Sequence, residues 1–174
     1  MNVDVSNSTF WGPWQLTVLA AAACGYNGIA DLHRATQKLE KTQGAKKSDH
    51  VYMVKLRKLH KTKFHVKCRN YPDRLLAKIF TIKSFSYLNS FTWKFDLNDR
   101  ATGQVRPNVS LNEYFQLKYS VHLEFPYLPV VETMKRGVAF PMEICIVEEG
   151  QRYPFKLDEE QVRFCCISLH FIIY

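Results

Sequence analysis

The chain has 174 residues, 47% of them hydrophobic and 14% aromatic, with a net charge of +8. That length holds one ordinary core with a small appendage, and that apolar content excludes a disordered chain. Five cysteines, at 24, 68, 145, 165 and 166, show no framework spacing, and the adjacent last two cannot form an ordinary bridge with each other, so a reducing cytoplasm is expected rather than secretion.

In chain order, Asn2-Val3-Asp4-Val5-Ser6 alternates and predicts a short strand. Pro13 suits a helix start, and Trp14, Leu16, Val18, Leu19 and the alanines carry that helix to Gly25. The apolar run Leu16 to Cys24 has no positive n-region before it and is too short to span a bilayer, so it predicts a buried helix. Asp31 to Glu40 predicts a second, polar helix, and Gln43 to Asp49 a loop. Thr62 to Cys68 alternates Phe64 and Val66 against Lys63, His65 and Lys67, which predicts a strand with one cationic face. Lys78 to Ser86 predicts another, with Phe80 and Ile82 on one face. In Phe91 to Leu97 the residues Phe91, Trp93, Phe95 and Leu97 share a face. Asn98 to Asn108, with Gly103 and Pro107, predicts a loop. Ser110-Leu-Asn-Glu113 is a capping box opening a helix to about Lys118. Val121 to Phe125 and Glu143 to Val147 predict short strands, and Asp158 caps a last helix. The pattern is α+β, mainly β: a small, strongly bent sheet or barrel with inserted helices, preceded by a helical linker.

Charge is unevenly placed. From Arg34 to Lys78 there are 14 Lys or Arg against Glu40, Asp49 and Asp73, a local +11. A basic block beside aromatics suits a polyanion such as RNA, and a solvated face is the other reading. Phe80, Trp93, Tyr114, Tyr119, Phe125 and Phe140 can supply stacking faces for single-stranded RNA. An aromatic stripe at period 2 equally describes a barrel core.

Enzyme chemistry finds little support. His65 and Cys68 are three apart on a strand and face opposite sides, so they do not chelate together. No Gly-x-Ser-x-Gly and no glycine-rich phosphate loop is present. No catalytic residue, metal, cofactor or small-molecule substrate is expected, and no membrane partner.

One set of blocks is more specific: Glu113-Tyr-Phe-Gln-Leu-Lys-Tyr119, Leu123-Glu-Phe-Pro-Tyr-Leu-Pro129, Phe140-Pro-Met-Glu-Ile-Cys145 and Glu149-Gly-Gln-Arg-Tyr153. In this order and spacing they resemble the PAZ domain of Argonaute proteins, which holds the 3′ end of a small guide RNA. The start, Asn2 to Ser6 with Phe10-Trp11 and the helix after Pro13, resembles the linker that precedes it. The resemblance implies residues 1–50 as linker, 51–167 as PAZ domain and 168–174 as a short apolar tail. It implies a small OB-like or SH3-like β-barrel carrying a hairpin-plus-helix appendage at about Phe91 to Tyr119, with the RNA end in the cleft between them.

By that resemblance Tyr114 and Tyr119 match positions that hold the terminal phosphate and sugar. Trp93 stands where a stacking aromatic is expected, Phe80 where many members have Tyr, and Phe140 forms an apolar wall under the last base. Cys68, Phe80 and Ala139 depart from the family pattern, each losing a hydrogen bond of about 1 kcal/mol. Two alternatives follow: binding weaker than usual for the family, or compensation by the cations Lys78, Lys118, Arg69 and Arg136. Tyr114 and Tyr119 are five residues apart, about 140° around a continuous helix, so both line one pocket only if the helix ends near Lys118. The implied function is to anchor the 3′ end of single-stranded guide RNA in gene silencing in the cytoplasm, beside other silencing proteins. Family members continue into MID and PIWI domains, the latter with the slicing site, so the chain reads as a fragment. The alternatives are an interaction fragment that no longer binds RNA, or an end-binding module of the Dicer type.

Overall fold

The computed structural model describes residues 10–41, 51–68, 78–98 and 104–152. The expected strand at Asn2 to Ser6, the loop at Gln43 to Asp49, the helix from Asp158, the apolar tail and Arg69 lie outside the described residues.

Three helices come first: α1 (Leu16–Cys24), α2 (Ile29–Lys41) and α3 (Val51–Leu56), the last running into a 3₁₀ turn at Arg57–Leu59. Most of α1 is buried, as its unbroken apolar run requires. It ends where Gly25 takes φ 75° and Tyr26 N–H reaches back to Ala21 C=O at 2.9 Å, a left-handed stop that glycine adopts without steric cost. The Lys55 ammonium donates to Cys24 C=O at 3.0 Å, placing a cation on the negative end of α1.

Five strands build the main sheet: β1 (Lys63–Val66), β2 (Phe80–Asn89), β5 (Pro129–Thr133), β6 (Ala139–Phe140) and β7 (Cys145–Val147). Their order is β6-β5-β2-β1-β7, antiparallel throughout. The two outer strands are joined by only Pro141 to Ile144, which includes a 3₁₀ turn. A flat sheet would hold them about 19 Å apart, four spacings of ~4.8 Å. A four-residue link with a turn rising ~2 Å per residue falls short of that. The sheet therefore curls strongly. Among the described residues no ladder closes it into a barrel. Residues 10–15 run beside 146–152 and shield the outer edge of β7: Trp11 N–H meets Gln151 C=O at 2.8 Å and Val147 N–H meets Trp14 C=O at 2.9 Å.

The alternation in β1 matches expectation, with Phe64 and Val66 inward. In β2 it breaks. Ile82 pairs with Thr133 and Ser84 with Glu132, so Lys83 is an extra residue pushed outward, and the inward set shifts from Phe80 and Ile82 to Phe85.

Between β2 and β5 the chain makes the appendage: hairpin β3 (Lys94–Asn98) and β4 (Val105–Ser110), then α4 (Leu111–Tyr119). Four expectations need correction in this stretch and just beyond it. The strand expected from Phe91 starts only at Lys94, because the Asn89 side chain accepts the N–H groups of Phe91 and Thr92 at 3.0 Å and bends the chain into a turn. The loop expected up to Asn108 is strand from Val105. Pro107 and Asn108 together oppose Asp96 as a bulge, with Asn108 at φ 59° and its N–H on the Asp96 carboxylate at 3.1 Å. The strand expected at Val121 to Phe125 is irregular, since Glu143 takes the N–H groups a neighbouring strand would need. The strand instead begins at Pro129, and a first position tolerates proline's missing N–H. The strand expected from Glu143 starts at Cys145, after the 3₁₀ turn.

One core unites these parts. Leu16, Leu32 and Leu56 from the helices, Phe64, Ile82, Val131 and Val147 from the sheet, and Leu111 and Phe115 from α4 form a single buried cluster.

Candidate nucleic-acid interface

Helix α4 opens with both halves of the capping box formed. Ser110 Oγ accepts Glu113 N–H at 3.2 Å, and the Glu113 carboxylate accepts Ser110 N–H at 2.8 Å. Those bonds from Ser110, its N–H first, hold the Glu113 pKa below the usual carboxylate range. The helix closes at Tyr119, with Ser120 left-handed at φ 53° and bonded to Gln116 C=O at 3.1 Å.

Tyr114 and Tyr119 both lie within this helix, and their long side chains lean together across its surface. Their hydroxyl oxygens lie 3.5 Å apart and their rings pack edge to face at 5.8 Å. The Lys118 ammonium sits over both rings, 5.3 Å from Tyr114 and 5.8 Å from Tyr119. Phe95 of β3 presses its ring on Tyr114 at 5.4 Å, and Phe115 backs both tyrosines. Tyr119 is buried, Tyr114 half-buried and Lys118 exposed. Two hydroxyl donors and one ammonium thus share a small surface over an apolar floor. This set suits a phosphodiester oxygen and a sugar hydroxyl.

Phe80, Phe140 and Lys78 form a second group. Phe80 lies 4.7 Å from Phe140 and 5.8 Å from Phe64, and the Lys78 ammonium stands 5.4 Å over the Phe80 ring. Phe80 is 8% exposed and Phe140 7%. Their rings are mostly spent on the core, and only their rims are open to a ligand.

Trp93 belongs to neither group among the described residues. It is half-buried at the root of the hairpin, where its C=O takes Leu111 N–H at 3.0 Å and so joins β3 to the first turn of α4. Cys68 is half-buried, and burial pushes its thiol pKa up, so it supplies no anion. His65 bonds Glu148 through Nδ1 at 2.5 Å. Among the described residues no three His, Cys, Asp or Glu side chains could hold a metal ion, and no helix is long and apolar enough to cross a membrane.

Sequence reasoning missed Phe95 as a site residue. Its signal was present, since Phe95 shares the period-2 apolar face with Trp93. Nothing in the pattern tells which member of that face meets α4.

The family model of the PAZ domain matches residues 37–164. The chain is 29% identical over 161 residues to protein argonaute of Schizosaccharomyces pombe, covering 92% of this chain and 17% of that protein. It is 29% identical over 164 residues to argonaute 5 of Arabidopsis thaliana, covering 93% of this chain and 14% of that protein. The chain therefore spans less than a fifth of the length of these relatives. A solved structure of the Drosophila Argonaute 2 PAZ domain, described for 3′ end recognition of nucleic acids, aligns with TM-score 0.40 at 20% identity, over 53% of this chain and 70% of that one.

Proposed function

The chain belongs to the PAZ domain family, and on that premise we propose that it anchors the 3′ end of a single-stranded small guide RNA in Argonaute-type gene silencing. The reading rests on one observation above the rest: Tyr114, Lys118 and Tyr119 converge on one surface, their hydroxyls 3.5 Å apart. Paired hydroxyls donate to the last phosphodiester, the ammonium supplies charge, and the terminal sugar fits against the tyrosine rings. Trp93 at the hairpin root offers a face to a nearby base. Recognition is then by end shape and backbone, which serves guides of any sequence. The module acts by binding, without metal or cofactor, in the cytoplasm beside other silencing proteins. We assign residues 1–50 to the preceding linker and 51–167 to the binding module.

The test is affinity for short RNAs that differ only in a free or a blocked 3′ end. The free end is expected to bind at least tenfold more tightly. Equal affinity for the two would overturn the reading.

A further inference from the structure

The basic block of the sequence meets the aromatic site only in part, and two hollows lined by its cations lie elsewhere. A hollow of about 430 Å³ sits between α3 with its 3₁₀ turn and the exposed side of β2, with Arg57, His60, Lys83 and Tyr87 in its walls and Phe85 behind. A second, of about 420 Å³, sits against the 10–15 segment, with Arg57, His60, Lys61 and Arg152 in its walls. Arg57 and His60 line both, so the two hollows adjoin as one groove. Among the described residues no carboxylate lines either.

Local structure aims these cations outward. Lys83 is the extra residue of the β2 bulge. Lys61 takes a left-handed backbone, φ 65°, unusual for a non-glycine residue, and is fixed by its N–H on Ile82 C=O at 2.9 Å. Arg57, Lys61, Lys83 and Arg152 are exposed, and none makes a side-chain ion pair among the described residues. Tyr87 is 57% exposed at one end of the groove. Unpaired cations set along a trough with an open aromatic ring match what a single-stranded nucleic acid offers: regularly spaced phosphates and stackable bases. A bare acidic peptide would use the charge and leave the ring idle.

We propose that this groove is a second nucleic-acid site, which grips the sugar-phosphate backbone of a single strand without reading its 3′ end. It stands independently of the end-anchoring reading.

The test uses the full chain and a 3′-blocked oligouridine of 12 nucleotides, so that end recognition plays no part. Arg57→Ala with Lys83→Ala should weaken this RNA at least tenfold. The log-log salt slope should shrink by about 1.4, taking ~0.7 per phosphate. Lys135→Ala, on the β5–β6 hairpin, should leave both unchanged. As a check that needs no variant, bound oligouridine should slow acylation of Lys61 and Lys83 in the unaltered protein. Unchanged affinity and slope in the Arg57 and Lys83 variant, or unprotected lysines, would overturn the proposal. So would competition by polyglutamate as effective as that by RNA, which would make the groove a site for acidic protein. A lost preference for free over blocked ends, with the blocked RNA still bound in the groove, would sink the end-anchoring reading alone.

Discussion

The carboxylate of Glu143 accepts Phe125 N–H at 2.6 Å through one oxygen and Glu124 N–H at 3.0 Å through the other. Glu143 lies in the short link between β6 and β7, and Phe125 lies where the chain returns from α4 to the sheet. One half-buried side chain thus ties the appendage to the closing link. Burial pushes the Glu143 pKa up, while the two N–H bonds oppose that shift.

Glu143→Gln keeps one acceptor and turns an NH₂ against the other N–H. A cost of about 1–3 kcal/mol is expected for the unsatisfied donor. Thermal melting should show a fall of roughly 2–4 °C per kcal/mol. An unchanged melting temperature would mean that this bond pair does not hold the return segment.

Tyr114 and Tyr119 should act as a unit on RNA, because their hydroxyls are neighbours. Each single change to Phe should reduce the preference for free over blocked 3′ ends by about 1–2 kcal/mol, one hydrogen bond to a charged group. The double change should cost less or more than the sum by at least ~0.5 kcal/mol, the usual signature of groups in contact. Strict additivity in this cycle would argue that the two tyrosines serve different ligand groups. Trp93→Ala should separately remove a stack of about 1–3 kcal/mol.

Phe80 and Phe140 should register first as stability. Each is packed in the aromatic cluster with Phe64. Phe80→Ala should cost about 3–5 kcal/mol in urea unfolding, as a large-to-small core change does. Wild-type stability together with weakened RNA binding would instead place Phe80 in the binding surface.

The capping box gives a pH dependence with a definite sign. Its bonds to Ser110 lower the folded pKa of Glu113 below the unfolded value. Its charge therefore stabilises α4 at pH above the unfolded carboxylate range, near 4.3, and that contribution is lost as pH falls through the folded value. Melting temperatures of the wild type and Glu113→Gln should differ at pH 6 and converge towards pH 3. A gap that widens on acidification would contradict the assignment.

RNA binding should weaken with salt and show little base preference. If two to four phosphates are neutralised, the log-log slope should be about −1.4 to −2.8. A flat response between low and physiological salt would rule out a phosphate-gripping surface.

Sequence alone determined the elements whose signals are local. The apolar run ending in Gly25, the period-2 pattern of Phe64 and Val66, and the Ser110–Glu113 box each carry their own stereochemistry, and each sits where it was read. The blocks from Glu113 to Tyr153 likewise carried the family. Other features depended on distant partners. Val121 to Phe125 stayed irregular because Glu143, 18 residues on, takes the Phe125 N–H; the late start of β3, by contrast, is local, since Asn89 two residues before Phe91 caps a turn there. The shared surface of Tyr114 and Tyr119 required two side chains of one helix to lean together over Phe95 and Phe115. The groove at Arg57 and Lys83 required α3 to pack against a bulged β2. Spacing along a chain fixes which face a side chain takes within one element. Only the packing of elements decides which faces meet, and so which cations and rings come to line the same surface.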